Sequence, residues 1–222
     1  MTQHRVGTQA EFETTHRELM RSEKEHMRMG DEIARRRREL PWVPVETDYE
    51  FDTPDGRKTL AELFAGRSQL LVYHFMFPPE WSEGCVGCSF LADHIDGAIP
   101  HVNARDVTLT CVSRAPLEKL TAYKERMGWK FPWASAVGPE FNIAFGATTP
   151  EEPHQDGTAL TAFALEDGVV YRTYATSNRG LEVFDGAYHW IDRAPKGRQE
   201  EGLENPSHWW RRHDSYDQRV AA

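Results

Sequence analysis

The chain has 222 residues, of which 39% are hydrophobic and 27% are charged, with a net charge of -9 at pH 7. That length suffices for one full domain with extensions, while a mean hydropathy of -0.66 without a long apolar window argues against a membrane span. The acidic balance disfavours nucleic acid and anionic membranes as partners, and the N-terminal segment lacks an apolar signal core, so we expect a cytoplasmic protein that binds neither.

The first predicted element is a long charged helix over Glu11–Leu40, which Pro41 ends because the residue before a proline leaves the α region. Its apolar positions are sparse, so we expect this helix to pack along the domain or against a second copy, which would make a homodimer. The basic run Arg35–Arg38 lies between acidic residues and is better explained as a solvated helix face than as a nucleic-acid patch. Residues 1–40 are therefore interpreted as an N-terminal helical extension.

A small hairpin and a capped turn precede the most apolar part of the chain. Pro54-Asp55-Gly56 is a turn signal between two short extended segments. Thr59 and Glu62 have the spacing of a capping box, which predicts a short helix that stops at Gly66.

The next segment combines a buried strand with a cysteine pair. Ser68–Phe77 is almost continuously apolar, as expected for a strand covered on both faces. A Pro-Pro break and a polar loop then lead to Cys85 and Cys88, which open a helical pattern running to Ile99, just before Pro100. A strand that feeds a Cys-x-x-Cys at a helix start is typical of redox-active dithiols.

The chemistry of that position supports the same interpretation. A thiol at a helix N-terminus faces unpaired N–H groups and the positive end of the helix dipole, which favour the thiolate. Cys85 and Cys88, three residues apart, share one helical face, so they can form a disulfide or bind a metal ion. Two nearby side chains are expected to be structural: His74 as a buried, hydrogen-bonded histidine and Cys111 as an inert buried thiol.

The remaining pattern predicts an α/β domain. The predicted elements are a strand over Asp106–Ser113, a helix from Pro116 to Gly128, an extended segment over Trp129–Ala134, a loop over Phe141–Asp156, and a hairpin of Leu160–Leu165 and Val169–Ala175 turning at Asp167-Gly168. This order implies a parallel βαβ unit with a right-handed crossover, followed by an antiparallel hairpin. We therefore predict a thioredoxin-type central mixed sheet flanked by helices over residues 41–180, with a C-terminal extension, 181–222, packed on it.

Long stretches of the chain resemble one known family. They are ELPWVPVETDYEFDTPDGRKTLAELFAGRSQLLVYHFMF, the loop of Cys85 and Cys88, VSRAPLEKLTAYKERMGW and TYATSNRGLE. Together they are similar to a thioredoxin-like family catalogued as domain of unknown function 899, whose members are sometimes labelled predicted dithiol–disulfide oxidoreductases. The resemblance runs from about Glu11 to Tyr216 and implies a thioredoxin-like fold.

The cysteine loop also resembles the active loop of peroxiredoxins, P-x-x-x-[ST]-x-x-C, with Pro78, Ser82 and Cys85 at those spacings. By that resemblance Cys85 is the attacking thiol, and Cys88 is the resolving thiol. Ser82 would hydrogen-bond the sulfur or the substrate oxygen.

Two positions differ from these families. Thioredoxins place a cis-proline before the hairpin strand, where this chain has Gly157–Ala159. Peroxiredoxins place an arginine near the same point, and the nearest substitutes here are Arg114 and Arg172. Arg114, together with Pro78 and Trp81 of the loop, is assigned a supporting role.

The leading prediction is a thiol–disulfide oxidoreductase that reduces a disulfide or a peroxide, needs no organic cofactor, and is regenerated by an external thiol reductant. Two alternatives stay open. One is a redox-inactive thioredoxin-fold binding or assembly protein. The other is a metal site on the two cysteines, which is less favoured because a zinc site usually needs four ligands and the remaining histidines are scattered (His74, His94, His101, His208, His213).

Overall fold

The computed structural model describes residues 4–136 and 138–216, and the chain divides into two compact units, Met1–Pro41 and Trp42–Ala222. The predicted extensions therefore continue outside the described residues, at 1–3 and at 217–222. None of the described helices is both long enough and apolar enough to cross a membrane.

The smaller unit contains one long helix, α1 (Gln9–Arg37), close to the predicted bounds. Thr8 caps the helix in a capping box with Glu11, and Glu32 pairs with Arg35 one turn later. No residue of α1 is buried, so capping and ion pairs between neighbouring turns support the helix rather than core packing. Its role in dimerisation stays a prediction.

Within the described residues, eight strands of the larger unit form one mixed sheet. The strands are β1 (Val43–Pro44), β2 (Glu50–Thr53), β3 (Gly56–Thr59), β4 (Gln69–His74), β5 (Val107–Ser113), β6 (Trp133–Ser135), β7 (Ala159–Glu166) and β8 (Val169–Ser177). The α-helices of this unit are α2 (Val86–Ala92), α3 (Ile99–Asn103), α4 (Leu117–Arg126), α5 (Glu140–Ala144) and α6 (Gly186–Ile191). Short 3₁₀ helices cover Glu62–Phe64, Asn178–Phe184, Pro206–Trp209 and His213–Ser215.

The strand order is β1-β8-β7-β4-β5-β6-β2-β3. At its centre β4 is parallel to β5 and antiparallel to β7, and β7 is antiparallel to β8. The order β8-β7-β4-β5, with a helical crossover from β4 to β5, is the thioredoxin-like arrangement. The predicted α/β fold with a central mixed sheet is confirmed.

Two hydrophobic cores cover the two faces of this sheet, because successive residues of a strand point to opposite sides. Leu70 and Val72 of β4 lie in one core with Phe163. Tyr73, on the other face, lies in the core that also contains Cys88. The strand therefore brings its odd-numbered positions toward the cysteine pair.

The central strand is shorter than the predicted Ser68–Phe77, since regular pairing ends at His74. The backbone of Met76 is engaged elsewhere: its C=O accepts from the Cys85 N–H at 3.1 Å, and its N–H donates to the Cys88 sulfur at 3.4 Å. The cysteine loop thus occupies the backbone groups of Met76, while the Phe75 N–H still donates to the Val112 carbonyl oxygen of β5 at 2.9 Å.

The single helix that the sequence predicts from Cys85 to Ile99 is wrong, since the structure has two short helices there. Helix α2 ends at Ala92, and α3 begins at Ile99 with Pro100 in its first turn. In between, the Asp96 carboxylate accepts the backbone N–H groups of residues 130 and 131, while Asp93 accepts the Trp129 indole N–H. Both aspartates thus connect this turn by hydrogen bonds to the segment that leads into β6.

The predicted loop over Phe141–Asp156 is wrong at its start, where α5 forms. Phe141 is buried and packs edge-on against Phe51, with ring centroids 4.9 Å apart, so tertiary packing supports a single short helix there. The predicted hairpin downstream is confirmed as β7 and β8. Asp167 and Gly168 turn with φ of 49° and 80°, as an Asp-Gly hairpin turn requires.

Candidate active site

The two loop cysteines lie at the start of α2, on the face of the sheet that Tyr73 shares. Cys85 caps the helix and is half-buried, while Cys88 lies in the first turn and is buried. Both are free thiols. The Cys88 thiol and the backbone N–H groups of Gly87 and Cys88 lie near the Cys85 sulfur and favour its ionised form.

These contacts separate the acidities of the two thiols. The Cys88 thiol, more than any other group, lowers the pKa of Cys85 to about 6; the N–H donors and the Arg212 charge add to this against the opposing effect of burial. Burial, and then the neighbouring Cys85 sulfur, raise the pKa of Cys88 well above its ordinary value. At neutral pH the half-buried member of the pair is therefore the thiolate, and the fully buried one is the thiol.

A lysine and a glycine hold the loop before Cys85 in place. The Lys119 ammonium donates to the carbonyl oxygens of Pro79 and Trp81 at 2.6 and 2.9 Å. Gly84 leaves no room for a side chain, because a Cβ there would lie 2.7 Å from the Phe75 ring. The loop thus follows the core surface closely before it reaches Cys85.

Arg212 connects the C-terminal segment to this loop. Its guanidinium donates to the Gly84 carbonyl oxygen at 2.7 Å and to the Tyr123 hydroxyl at 2.8 Å, and it pairs with Glu83 at 2.9 Å. Tyr123 is hydrogen-bonded to Ser89 of α2 at 2.9 Å. One arginine therefore links the loop, helix α4 and helix α2 beside Cys85.

Aromatic rings from the C-terminal segment cover helix α2. The Trp210 ring stacks on Phe90 with centroids 5.2 Å apart and planes 2° apart, and its indole N–H donates to the Tyr188 hydroxyl at 2.8 Å. Gly87 permits this approach, because a Cβ there would lie 2.8 Å from the Trp210 ring.

We expect Gly87→Ala to displace Trp210 and to lower the free energy of unfolding by about 1–3 kcal/mol, the usual cost of overpacking. The matched control is Gly97→Ala, since nothing lies within 4 Å of a Cβ built at Gly97. Urea unfolding and indole fluorescence would measure both variants. Equal stabilities with unchanged fluorescence would contradict the tight contact.

A cavity of about 460 Å³ opens beside the cysteine pair. Cys85 and Cys88 lie in its wall, together with Trp210 and with residues of the segment that follows β8. A more open depression is lined by the loop, including Ser82, and by Cys85 and Arg212. Cys85 thus lines both the cavity and this depression.

Comparisons with known proteins assign the chain to a family. The family model described as Bacterial protein of unknown function (DUF899) matches residues 1–216. The chain belongs to this family. The resemblance found in the sequence is therefore confirmed, and no curated protein matches the chain.

Several solved peroxiredoxin structures are distantly similar to this member of DUF899. Peroxidoxin BcpB from Mycobacterium tuberculosis has 15% identity and a TM-score of 0.48, over 67% of this chain and 96% of that one. A mutant of PrxQ from Xylella fastidiosa has 14% identity and a TM-score of 0.45, over 64% and 88%. The mitochondrial 2-cys peroxiredoxin from Plasmodium falciparum has 12% identity and a TM-score of 0.45, over 68% and 94%.

The structure brings some of the predicted site residues of this DUF899 chain together. Cys85 and Cys88 are in contact, and Ser82 shares the depression beside Cys85, although no hydrogen bond of its hydroxyl is found among the described residues. Pro78 is buried at the start of the loop, and Trp81 is 39% exposed.

Arg114, by contrast, is engaged away from the sulfur atoms. Its buried guanidinium pairs with Asp156 at 2.5 Å and donates to the His154 carbonyl oxygen at 2.9 Å. Arg172 lies in β8, paired with β1. The arginine whose charge acts on Cys85 is Arg212, which sequence reasoning missed because it lies far along the chain in a segment with no recognisable motif.

The two side chains predicted to be structural are indeed buried. His74 is on the opposite face of β4 from Tyr73, and its ring nitrogens are hydrogen-bonded to Asn142 and Thr161, each at 3.0 Å. Burial lowers the pKa of His74 to about 4 and raises that of Cys111. Across residues 4–136 and 138–216 there is no group of three or more His, Cys, Asp or Glu side chains that could hold a metal ion.

Proposed function

We propose that this protein is a thiol–disulfide oxidoreductase in which Cys85 attacks and Cys88 resolves. The observation that carries the proposal is the contact between a half-buried Cys85, whose pKa is lowered to about 6, and the buried Cys88 thiol. A thiolate is the nucleophile in disulfide exchange, and a second thiol already within hydrogen-bonding reach can complete the exchange.

The reaction balances with two electrons from the protein. The Cys85 thiolate attacks a substrate disulfide, forms a mixed disulfide and expels one thiolate. Cys88 gives up its proton and attacks the Cys85 sulfur, which releases the second substrate thiol and leaves a Cys85–Cys88 disulfide. An external thiol reductant then returns the pair to the dithiol.

A disulfide is favoured over a peroxide by the state of Arg212. Its three guanidinium nitrogens are already engaged with Tyr123, Gly84 and Glu83. Three of its five N–H donors are thereby used, so Arg212 offers fewer donors to a peroxide oxygen than a free guanidinium would, whereas attack on a disulfide leaves its charge on a departing thiolate. We therefore place small or protein disulfides first and peroxides second.

Thiol counting tests the proposal directly. The reduced protein, with its three cysteines, is mixed with one equivalent of a small disulfide or, in a second arm, of hydrogen peroxide. We expect loss of the Cys85 and Cys88 thiols, a Cys85–Cys88 disulfide by peptide mass spectrometry, and an intact Cys111. A Cys111→Ala variant serves as control and should behave identically. Full retention of all thiols in both arms would instead support a redox-inactive binding protein.

A further inference from the structure

The cavity beside the cysteine pair contains a carboxyl group that nothing in the proposed chemistry uses. Asp185 lines this cavity and is only 6% exposed. Within residues 4–136 and 138–216 its carboxylate has neither a hydrogen bond nor an ion pair. Burying a carboxylate without a partner is costly, so the position indicates a site for a donor or a cation that arrives from solution.

The other charged groups of the cavity wall leave an excess of negative charge. Arg198 is paired with Glu182 and, at 2.6 Å, with Asp192, and Arg179 is paired with Glu182 at 2.8 Å. Both arginines of the wall are thus neutralised by carboxylates.

A second carboxylate of the wall is also without a cation. Glu200 accepts hydrogen bonds from the Tyr188 hydroxyl at 3.0 Å and from the Trp209 indole N–H at 2.7 Å, and no ion pair of Glu200 is found in the described part of the chain. Asp185 and Glu200 are therefore the uncompensated charges of a cavity whose wall also includes apolar side chains such as Leu91, Leu181 and Trp210.

We propose that this cavity binds a small organic cation, with Asp185 as its counter-ion, and that the substrate is a low-molecular-weight disulfide bearing protonated amines. The second half of this proposal rests on the proposed function. Burial, and then the Glu182 charge, raise the pKa of Asp185 to about 7, with Arg198 and His189 acting in the opposite direction. An ammonium group in the cavity would supply the partner that the ionised carboxylate lacks.

Binding can be measured without any redox step. In a Cys85→Ser variant at pH 8, we compare 1,6-diaminohexane, 1,6-hexanediol and adipate by calorimetry, because these share a chain length and differ in charge. We expect the diamine to bind at least about tenfold more tightly than the diol, with adipate weakest, as a partly buried charge pair allows. Adding Asp185→Asn should remove about tenfold of the diamine affinity and leave the diol unchanged.

The control is Asp167→Asn, which makes the same chemical change in the exposed hairpin turn at the far end of β7. It should leave diamine affinity unchanged. If Asp185→Asn does not fold, as judged by circular dichroism, Glu200→Gln tests the same cavity and should also weaken the diamine selectively. Equal binding of the three probes, or an undiminished diamine affinity in the folded variants, would overturn the proposal.

The proposed preference for a disulfide that bears protonated amines is tested in the active protein with three small disulfides that differ in charge. The kcat/KM of each disulfide is divided by its exchange rate with free 2-mercaptoethanol, because the pKa of the leaving thiol alone changes the rate. On that scale cystamine should exceed bis(2-hydroxyethyl) disulfide about tenfold and 3,3'-dithiodipropionate should be slowest, with the order lost in Asp185→Asn. Selective diamine binding without reduction of any disulfide would refute the redox function alone. Reduction without charge preference would refute the cation site alone.

Discussion

Cys85→Ser is expected to lower disulfide turnover by at least about 10³-fold, because a serine hydroxyl does not ionise near neutral pH. Neither remaining thiol can substitute. Burial raises the pKa of both Cys88 and Cys111 well above the ordinary value, and both side chains are no more than 2% exposed. The chain thus has one thiol that combines ionisation with access.

A chromogenic disulfide separates the two cysteine roles in a single experiment. With 4,4'-dithiodipyridine in excess, the reduced wild-type protein should release two equivalents of thiopyridone per chain, one on attack and one on resolution by Cys88. Cys88→Ser should release one equivalent and stop at the mixed disulfide on Cys85. Cys85→Ser should release none while the protein is folded.

The same stoichiometry distinguishes the alternatives. Release of two equivalents of thiopyridone by Cys88→Ser would mean that Cys111 resolves the mixed disulfide. A Cys111→Ala variant would then release only one equivalent. Rapid release from Cys85→Ser would mean that Cys88 is the attacking thiol, which would reverse the roles proposed here. A redox-inactive binding protein would react slowly in all three forms.

The sequence alone predicts the strand, the helix start and the hairpin that position the cysteine pair, because the signals for these elements are local. About thirty residues contain the apolar strand, the Pro-Pro break and the Cys-x-x-Cys at a helix start. The Asp167-Gly168 turn predicts the hairpin that lies beside them in the sheet. The burial of His74 and Cys111 followed from their place within apolar strands. Hydrophobic periodicity and turn residues are therefore enough to predict these elements and the burial of their side chains.

The surroundings of the site depend on contacts that no local pattern encodes. Arg212 reaches Gly84 across 128 positions of sequence, and Trp210 covers helix α2 because Gly87 leaves room for its ring. The sequence favours Arg114 as the arginine beside the cysteines, since it follows a predicted strand. Its guanidinium is instead taken by Asp156, a buried pairing that spacing alone cannot reveal.

The pH dependence of Cys85 reactivity gives the second large effect. Because the pKa of Cys85 is lowered to about 6, its alkylation rate by iodoacetamide should rise with a midpoint near pH 6 and reach a plateau by about pH 7.5. The sign follows from the reactive species: the thiolate fraction grows as pH rises through the pKa. Thiolate absorbance near 240 nm provides an independent reading of the same titration.

The cause of the shift can be isolated at Cys88. The Cys88 thiol is the largest contributor to the lowered pKa, and a hydrogen bond to a charged group is worth about 1.5–3 kcal/mol, or about one to two pKa units. Cys88→Ala removes this donor and should move the Cys85 midpoint upward by about that amount, with about a 5- to 50-fold loss of reactivity at pH 6.

Cys88→Ser is the matched control, because a hydroxyl also donates to the Cys85 sulfur and occupies nearly the same volume. It should keep the midpoint close to that of the wild type while abolishing resolution, so that ionisation and resolution are separated in one pair of variants. If both variants kept the wild-type midpoint, the backbone N–H groups of Gly87 and Cys88 and the charge of Arg212 would account for the shift. A wild-type midpoint near 9 would remove the thiolate on which the proposed chemistry depends.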